Sequence, residues 1–170
     1  MNKRMNVAPD AEACAEQVGA LRSLVNKALP ELVADARPDV LYDPVRYVLD
    51  GGGKRLRPVL LLLTADAFGV GTQRALPAAL AVEVFHNFTL VHDDIMDHAD
   101  ERRGRATVHL EWDQETAILT GDMLMALSYD LLTQVETPHL VKMLDAYHSM
   151  VERLCKGQAL DKAFERTDNV

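Results

Sequence analysis

Cysteine and long apolar runs are scarce in this sequence, and each shortage excludes a class of protein. Cys14 and Cys155 lie far apart and form no CxxC pair, so we expect a reduced, cytoplasmic protein and not a disulfide-stabilised secreted domain. The longest uncharged apolar run, Pro58 to Ala65, is far shorter than the roughly 20 residues that cross a bilayer, so no transmembrane segment is predicted. The N-terminal sequence MNKRMNVAPDAEA starts with basic residues but lacks the apolar core of a secretory signal.

Positive charge is also scarce. The formal net charge of −8 argues against nucleic acid as a partner and against a basic membrane-binding patch. The bases that do occur are concentrated, because six of the eighteen Lys and Arg residues lie in the tetrads Lys54-Arg55-Leu56-Arg57 and Arg102-Arg103-Gly104-Arg105. An acidic protein with two such clusters is typical of a protein that binds a small polyanion. Two solvated basic loops are the alternative.

Hydrophobic periodicity predicts helices along the whole chain and no convincing strand. Residues 75–98 are apolar on nearly every face, which predicts a central, buried helix. The other predicted helices run through Val18 to Leu32, from an Asp43 cap and Pro44 to the glycines at 51–53, from Pro58 to Gly69, over 114–135 and over 138–165. At 170 residues and without a long linker, the chain is predicted to form a single all-α domain over residues 1–170, as a helical bundle or part of one.

Three aspartates end the predicted central helix. Asp93, Asp94 and Asp97 would occupy its C-terminal turn, where the helix dipole disfavours each carboxylate by roughly 0.3–1 kcal/mol. Repulsion between Asp93 and Asp97, one turn apart, adds to this cost. Clustered carboxylates without cysteine ligands suit a hard cation, above all Mg²⁺, which prefers to share phosphate oxygens. The arginines downstream and the first tetrad would then bind the rest of a phosphorylated ligand.

Several motifs carry a resemblance to one family. GGGKRLRP (51–58), FHNFTLVHDDIMD (85–97), RRG (102–104), GD (121–122) and GQALD (157–161) have the order and spacing of the all-trans polyprenyl diphosphate synthases of the short-chain type. These enzymes make farnesyl and geranylgeranyl diphosphate. The similarity covers about residues 44–165 and the N-terminal half of the family's domain. It implies an isoprenoid-synthase-type helical bundle, of which this chain carries only the N-terminal half.

The resemblance also implies a role for individual residues. Lys54, Arg57, His86 and Arg103 match the residues that bind the diphosphate of isopentenyl diphosphate. Asp93, Asp94 and Asp97 match the first aspartate-rich motif, which is catalytic and binds the allylic diphosphate through Mg²⁺, and Arg102 matches a residue that contacts the same diphosphate. The implied reaction is ionisation of the allylic diphosphate, attack by the isopentenyl double bond and loss of a proton.

Phe88 and Thr89 lie more than one helical turn before Asp93, along the path that a lengthening prenyl tail would take. A large ring at 88 is the simplest floor for the cavity, and the small Thr89 leaves room beside it. In similar enzymes this combination accompanies short products. The alternative is that Phe88 is an ordinary core residue.

One departure from the family limits these expectations. The family is about twice as long and has a second aspartate-rich motif in its C-terminal half, which these residues lack. The chain is therefore predicted to be a fragment, or a half-sized relative that works as a homodimer or with a partner carrying the C-terminal half. Two other functions remain open: a non-catalytic partner subunit, and a metal phosphohydrolase with a His-Asp dyad at His92 and Asp93.

Overall fold

The computed structural model describes residues 11–167, with side chains from 11 to 164, and regular structure there is almost entirely helical. The elements are α1 (Ala11–Glu31), α2 (Asp39–Leu49), α3 (Leu56–Ala67), α4 (Thr72–Met96), β1 (Glu101–Arg102), β2 (Arg105–Ala106), α5 (Val108–Glu111), α6 (Gln114–Thr133) and α7 (Leu140–Thr167). The predicted all-α class is confirmed. The chain divides after Gln134 into two compact units, the first holding α1 to α6 and the second α7. The prediction of a single domain over residues 1–170 stays a prediction. No helix of the described part is long and apolar enough to span a membrane.

Helix α4 is the centre of the first unit, as its all-round apolar sequence predicts. It packs against α3, α6 and, less extensively, α1, and buried residues occur on every side of it, from Ala75 to Asp94. Its closest neighbour is α6, where a side chain at Gly121 would collide with the imidazole of His92. The glycine therefore allows the two helices to approach closely.

Two helices begin earlier than the sequence indicates. We predicted that α2 starts after an Asp43 cap, but it starts at Asp39, and Pro44 lies inside it. Arg46 explains the extra turn, because its guanidinium pairs with Asp39 at 3.0 Å and with Asp43 at 2.8 Å. Helix α3 likewise starts at Leu56, two residues before Pro58, and follows Arg55, whose backbone is left-handed (φ 51°, ψ 34°).

The prediction of no strand is wrong at one place. Strands β1 and β2 form an antiparallel hairpin in which Arg102 pairs with Arg105. Arg103 and Gly104 form its turn, both with positive φ (56° and 76°), as a type I′ turn requires. Each strand has only two residues, too few for the alternation that identifies strands in a sequence.

Candidate active site

A cavity of about 380 Å³ lies where the loop before α3, helix α4 and the hairpin turn meet. Its lining residues are Gly53, Lys54, Arg55, Leu56, Arg57, Glu83, His86 and Arg103. The structure thus brings together Lys54, Arg57, His86 and Arg103, which by the family resemblance would bind one diphosphate. The cavity also falls within the size range of small-molecule sites.

Burial and neighbouring positive charge lower the pKa of two groups in this cavity, His86 and Arg103; we call it the cation cavity. Burial lowers the pKa of His86 below its ordinary value, and the nearby Arg57 lowers it further. Burial also lowers the pKa of Arg103, with repulsion from Arg55 as the next cause. Both changes show cationic groups held close together and partly away from water, an arrangement that an anionic ligand would relieve.

Arg103 reaches the cavity because of the turn that carries it. Its Nη1 donates a hydrogen bond to the carbonyl oxygen of Gly52, in the loop that precedes Lys54. A Cβ at Gly53 would overlap the same guanidinium. Gly53 therefore leaves space for the hairpin arginine beside the loop, which explains why this position carries no side chain.

Arg102, one residue earlier, binds a different partner. Its Nε donates to both carboxylate oxygens of Asp94, at 2.8 and 2.9 Å, and its Nη2 lies 2.7 Å from Oδ1. Asp94 is only 5 % exposed, and this hydrogen-bonded carboxylate raises the pKa of Arg102. The pair lines a second cavity, of about 50 Å³, to which Arg103 also contributes. The two adjacent arginines therefore connect the end of α4 with the cation cavity.

Helix α2 holds the hairpin in position. The Arg105 guanidinium lies 3.6 Å from the centre of the Tyr47 ring and donates to the Tyr47 carbonyl at 3.1 Å. The Tyr47 hydroxyl donates in turn to the Ala106 carbonyl at 2.8 Å, and Trp112 packs edge-on against the Tyr47 ring. A cation–π contact and two hydrogen bonds thus fix the strand that follows the Arg102–Arg103 pair.

The aspartates at the end of α4 suit an Mg²⁺ ion that is also bound by substrate phosphate oxygens. They do not form a complete metal site by themselves. Within residues 11–164, no three His, Cys, Asp or Glu side chains form a group that could hold a metal ion, and Asp94 is paired with Arg102. Asp93 lies in the last turn of α4 and Asp97 is its C-cap residue, whose backbone N–H donates to the Asp93 carbonyl at 2.8 Å. Mg²⁺ commonly takes one or two carboxylates together with substrate phosphate oxygens and water. These two carboxylates fit such a site.

Phe88 and Thr89 line neither of the two cavities described above. The Phe88 ring is half-buried between the rings of Phe85 and His92, with centroid distances of 5.2 and 4.8 Å. Thr89 donates its hydroxyl to the His86 carbonyl at 2.8 Å. The predicted chain-length residues are therefore placed on α4 beside the site, and their role stays a prediction.

The sequence analysis did not identify two residues that take part in the site, Tyr47 and Glu83. Tyr47 gives no recognisable signal, because one tyrosine in an amphipathic helix is an ordinary core residue. Glu83 does give one: it is a carboxylate inside the apolar stretch that leads to Asp93, and buried acids need a partner.

An all-helical unit with a cluster of basic residues beside an aspartate-rich helix end has the architecture of the isoprenoid-synthase bundles. Residues 38–170 match the family described as Polyprenyl synthetase, and the chain belongs to that family. It is 45% identical over 150 residues to a geranylgeranyl diphosphate synthase of Methanosarcina mazei, covering 87% of this chain and 46% of that protein. It is 38% identical to a geranylfarnesyl diphosphate synthase of Natronomonas pharaonis, covering 94% and 52%.

Solved structures agree with this assignment. A geranylgeranyl pyrophosphate synthetase from Pyrococcus horikoshii aligns with a TM-score of 0.84 at 36% identity, over 91% of this chain and 49% of that one. One from Geoglobus acetivorans aligns with a TM-score of 0.83 at 42% identity, over 86% and 49%. The resemblance noted in the sequence is confirmed, as is the N-terminal half of the bundle. The chain spans about half the length of the curated relatives it matches.

Proposed function

We propose that this chain provides the substrate-binding half of a prenyltransferase that condenses isopentenyl diphosphate with an allylic diphosphate. The product would be a short all-trans prenyl diphosphate such as farnesyl or geranylgeranyl diphosphate. One observation carries the proposal: Arg102 and Arg103 are adjacent, yet the first pairs with Asp94 and the second lines the cation cavity. Two diphosphate groups bound at these places would lie side by side, as a condensation requires.

The cation cavity is the site that we assign to isopentenyl diphosphate. Lys54, Arg57 and Arg103 would neutralise its diphosphate, and His86 would donate a further hydrogen bond from its ring. Charge-assisted hydrogen bonds of this kind are the strongest available to a phosphate group. The site binds and orients this substrate and needs no nucleophilic side chain.

The end of α4 is the site that we assign to the allylic diphosphate. Asp94 holds Arg102 by two of its nitrogens, which leaves other N–H groups of the guanidinium for the ligand. Asp93 and Asp97 would hold Mg²⁺, which when bound supplies positive charge next to the leaving diphosphate. Arg102 stabilises the same charge as it develops, and the apolar helix interior excludes water from the reacting carbons.

A second candidate is a partner subunit that shapes another protein's product without catalysing the reaction. The hypothesis of a metal phosphohydrolase is less well supported, because the His92 ring faces α6. Its Nε2 lies 3.3 Å from the Ile118 carbonyl, and the ring contacts Phe88. We also place the protein in the cytoplasm, since both cysteines carry free, exposed thiols, which a reducing compartment preserves.

Replacement of Asp93 tests the catalytic proposal. In the active form that contains this chain, Asp93→Ala should lower turnover of isopentenyl and dimethylallyl diphosphates by orders of magnitude with nearly unchanged helical content, since a carboxylate at a helix C-terminus does not stabilise the helix. Asp94→Ala should also lower turnover, because it removes the carboxylate that holds Arg102. Asp66→Asn, which removes an exposed carboxylate from α3, is the matched control and should be harmless. A normal rate for Asp93→Ala would overturn the metal role, and an active form that makes no prenyl diphosphate would favour the partner subunit.

A further inference from the structure

Glu83 is the one carboxylate among the residues that line the cation cavity. It lies on α4 almost one turn before His86, in a place where an anion is expected to bind. A carboxylate there would repel a diphosphate strongly, because charges that are partly buried are poorly screened by water and salt. The binding of substrate alone therefore does not explain why a carboxylate occupies position 83.

Arg55 supplies that explanation. Its Nη1 lies 2.7 Å from Glu83 Oε1, and the two side chains are only 2 % and 3 % exposed. The same guanidinium donates to the Asn26 side-chain oxygen at 2.9 Å and to the Leu49 carbonyl at 3.2 Å. Arg55 is thus turned away from solvent and toward α1, α2 and α4.

The backbone of Arg55 has a conformation that residues with side chains disfavour. Its φ of 51° is in the left-handed region, which glycine adopts readily and residues with side chains disfavour. Glycines precede it at three positions of the same loop, yet this strained position carries an arginine. The neighbours Lys54 and Arg57 can face the cavity while Arg55 binds Glu83.

The charge of Glu83 reaches the cavity. Burial and then Arg57 lower the pKa of His86, while Glu83 acts in the opposite direction on the same imidazole. The carboxylate is therefore close enough to act on whatever binds beside His86.

We propose that Arg55 is a positioning residue of the isopentenyl diphosphate site, which pairs with Glu83 so that its carboxylate does not oppose the incoming diphosphate. The inference rests on the proposed function of the cavity. It predicts that replacing Arg55 lowers the affinity for diphosphate, whereas replacing Glu83 does not. A pair that only stabilised the fold would lose affinity when either member was replaced, since both changes would disturb the same loop.

Binding of inorganic diphosphate to the 170-residue chain tests this. Isothermal titration without divalent cations measures the contribution of the basic side chains alone. Arg55→Met should weaken binding by about tenfold to a hundredfold, because it leaves the buried Glu83 carboxylate unpaired beside the bound anion. Glu83→Gln, which keeps the shape and an acceptor for Arg55, should bind at least as tightly as the unaltered chain. The double variant should regain most of the affinity that Arg55→Met loses, because no buried carboxylate remains unpaired.

The controls separate charge from folding. Glu31→Gln removes an equal charge from an exposed position at the end of α1 and should not change the affinity. Circular dichroism and urea denaturation check the fold of each variant, and Glu83→Gln tests the predicted sign even if Arg55→Met does not fold. Loss of affinity in folded Glu83→Gln, or a double variant no better than Arg55→Met, would overturn the inference alone. An unaltered chain that does not bind diphosphate would overturn the proposed site itself.

Discussion

Arg55 and Arg105 belong to the two basic tetrads, yet both bind groups of the protein itself. Arg55 pairs with Glu83 inside the first unit, and Arg105 lies over the Tyr47 ring. All six basic side chains of the tetrads line at least one of the two cavities, but Arg55 and Arg105 hold the surrounding structure, and Arg102 also contacts Asp94. Guanidinium groups are suited to both tasks, because they stack on rings and bind carboxylates in a fixed geometry.

The adjacent arginines should have separable effects on the two substrates. We expect Arg103→Ala, like Arg57→Ala, to raise KM mainly for isopentenyl diphosphate, by roughly tenfold to a hundredfold for one lost charge-assisted contact. Arg102→Ala should act mainly on the allylic substrate, and it also removes the ion pair of the buried Asp94. Steady-state kinetics with each substrate varied in turn measures both effects. Equal changes for both substrates in all three variants would contradict the assignment.

His86 should make stability depend on pH. Burial, followed by Arg57, lowers the pKa of this imidazole in the folded chain. Between that lowered value and the ordinary value of about 6.5, the unfolded chain binds a proton that the folded chain does not, so stability falls as the pH decreases through this window. His86→Gln should remove this part of the pH dependence. Urea midpoints at about pH 5.5 and about pH 7.5, on either side of the ordinary value, should therefore differ less in the variant.

At the scale of elements, the sequence predicts what depends on local pattern. The long apolar run of α4, the tetrads and the carboxylates at its end could be read from periodicity and motif spacing, whereas the grouping of the four residues that share the cation cavity came only from the family resemblance. The early start of α2 could not, because it depends on Arg46 pairing with Asp39. The hairpin could not either, because its pairing is stabilised by contacts with Tyr47, distant in sequence. Contacts between segments are not encoded in any local pattern.

Helix α4 also carries the prediction on product length. We expect Phe88→Ala to lengthen the products, because removal of the ring would open a channel beside Thr89 for the growing tail. Loss of a fully buried phenylalanine typically costs about 3–5 kcal/mol, and the half-buried Phe88 should cost less, but stability must still be measured separately from specificity. Phe68→Ala is a matched control, since Phe68 is 82 % exposed at the end of α3. Chromatography of the dephosphorylated products gives the lengths, and an unchanged distribution in folded, active Phe88→Ala would exclude Phe88 as the floor.

At the scale of the whole molecule, the main observation is that the chain spans about half the length of the relatives it matches. Large apolar side chains are exposed in the first unit, among them Leu56, Leu60 and Leu119. Exposed apolar surface of this kind favours association with another copy or with a partner. We propose that the chain works as a homodimer or with a polypeptide that carries the C-terminal half of the family's domain.

The 170-residue chain alone should therefore be a poor catalyst and should self-associate. Light scattering after size-exclusion chromatography gives its mass, and an assay with isopentenyl and dimethylallyl diphosphates gives its rate. A C-terminal half taken from a relative and added in trans should raise that rate, because it supplies the remaining walls of the reaction cavity. A monodisperse monomer of the chain with full activity would contradict this expectation.

The hairpin turn has one more consequence, for the precision of the reaction. Arg102 and Arg103 are consecutive, and adjacent Cα atoms are about 3.8 Å apart across a trans peptide bond. On the proposed roles, one covalently continuous hairpin therefore supplies one arginine to each diphosphate, while the other ligands come from α3, the loop before it and α4. Any movement of the hairpin relative to these helices would act on both substrates at the same time.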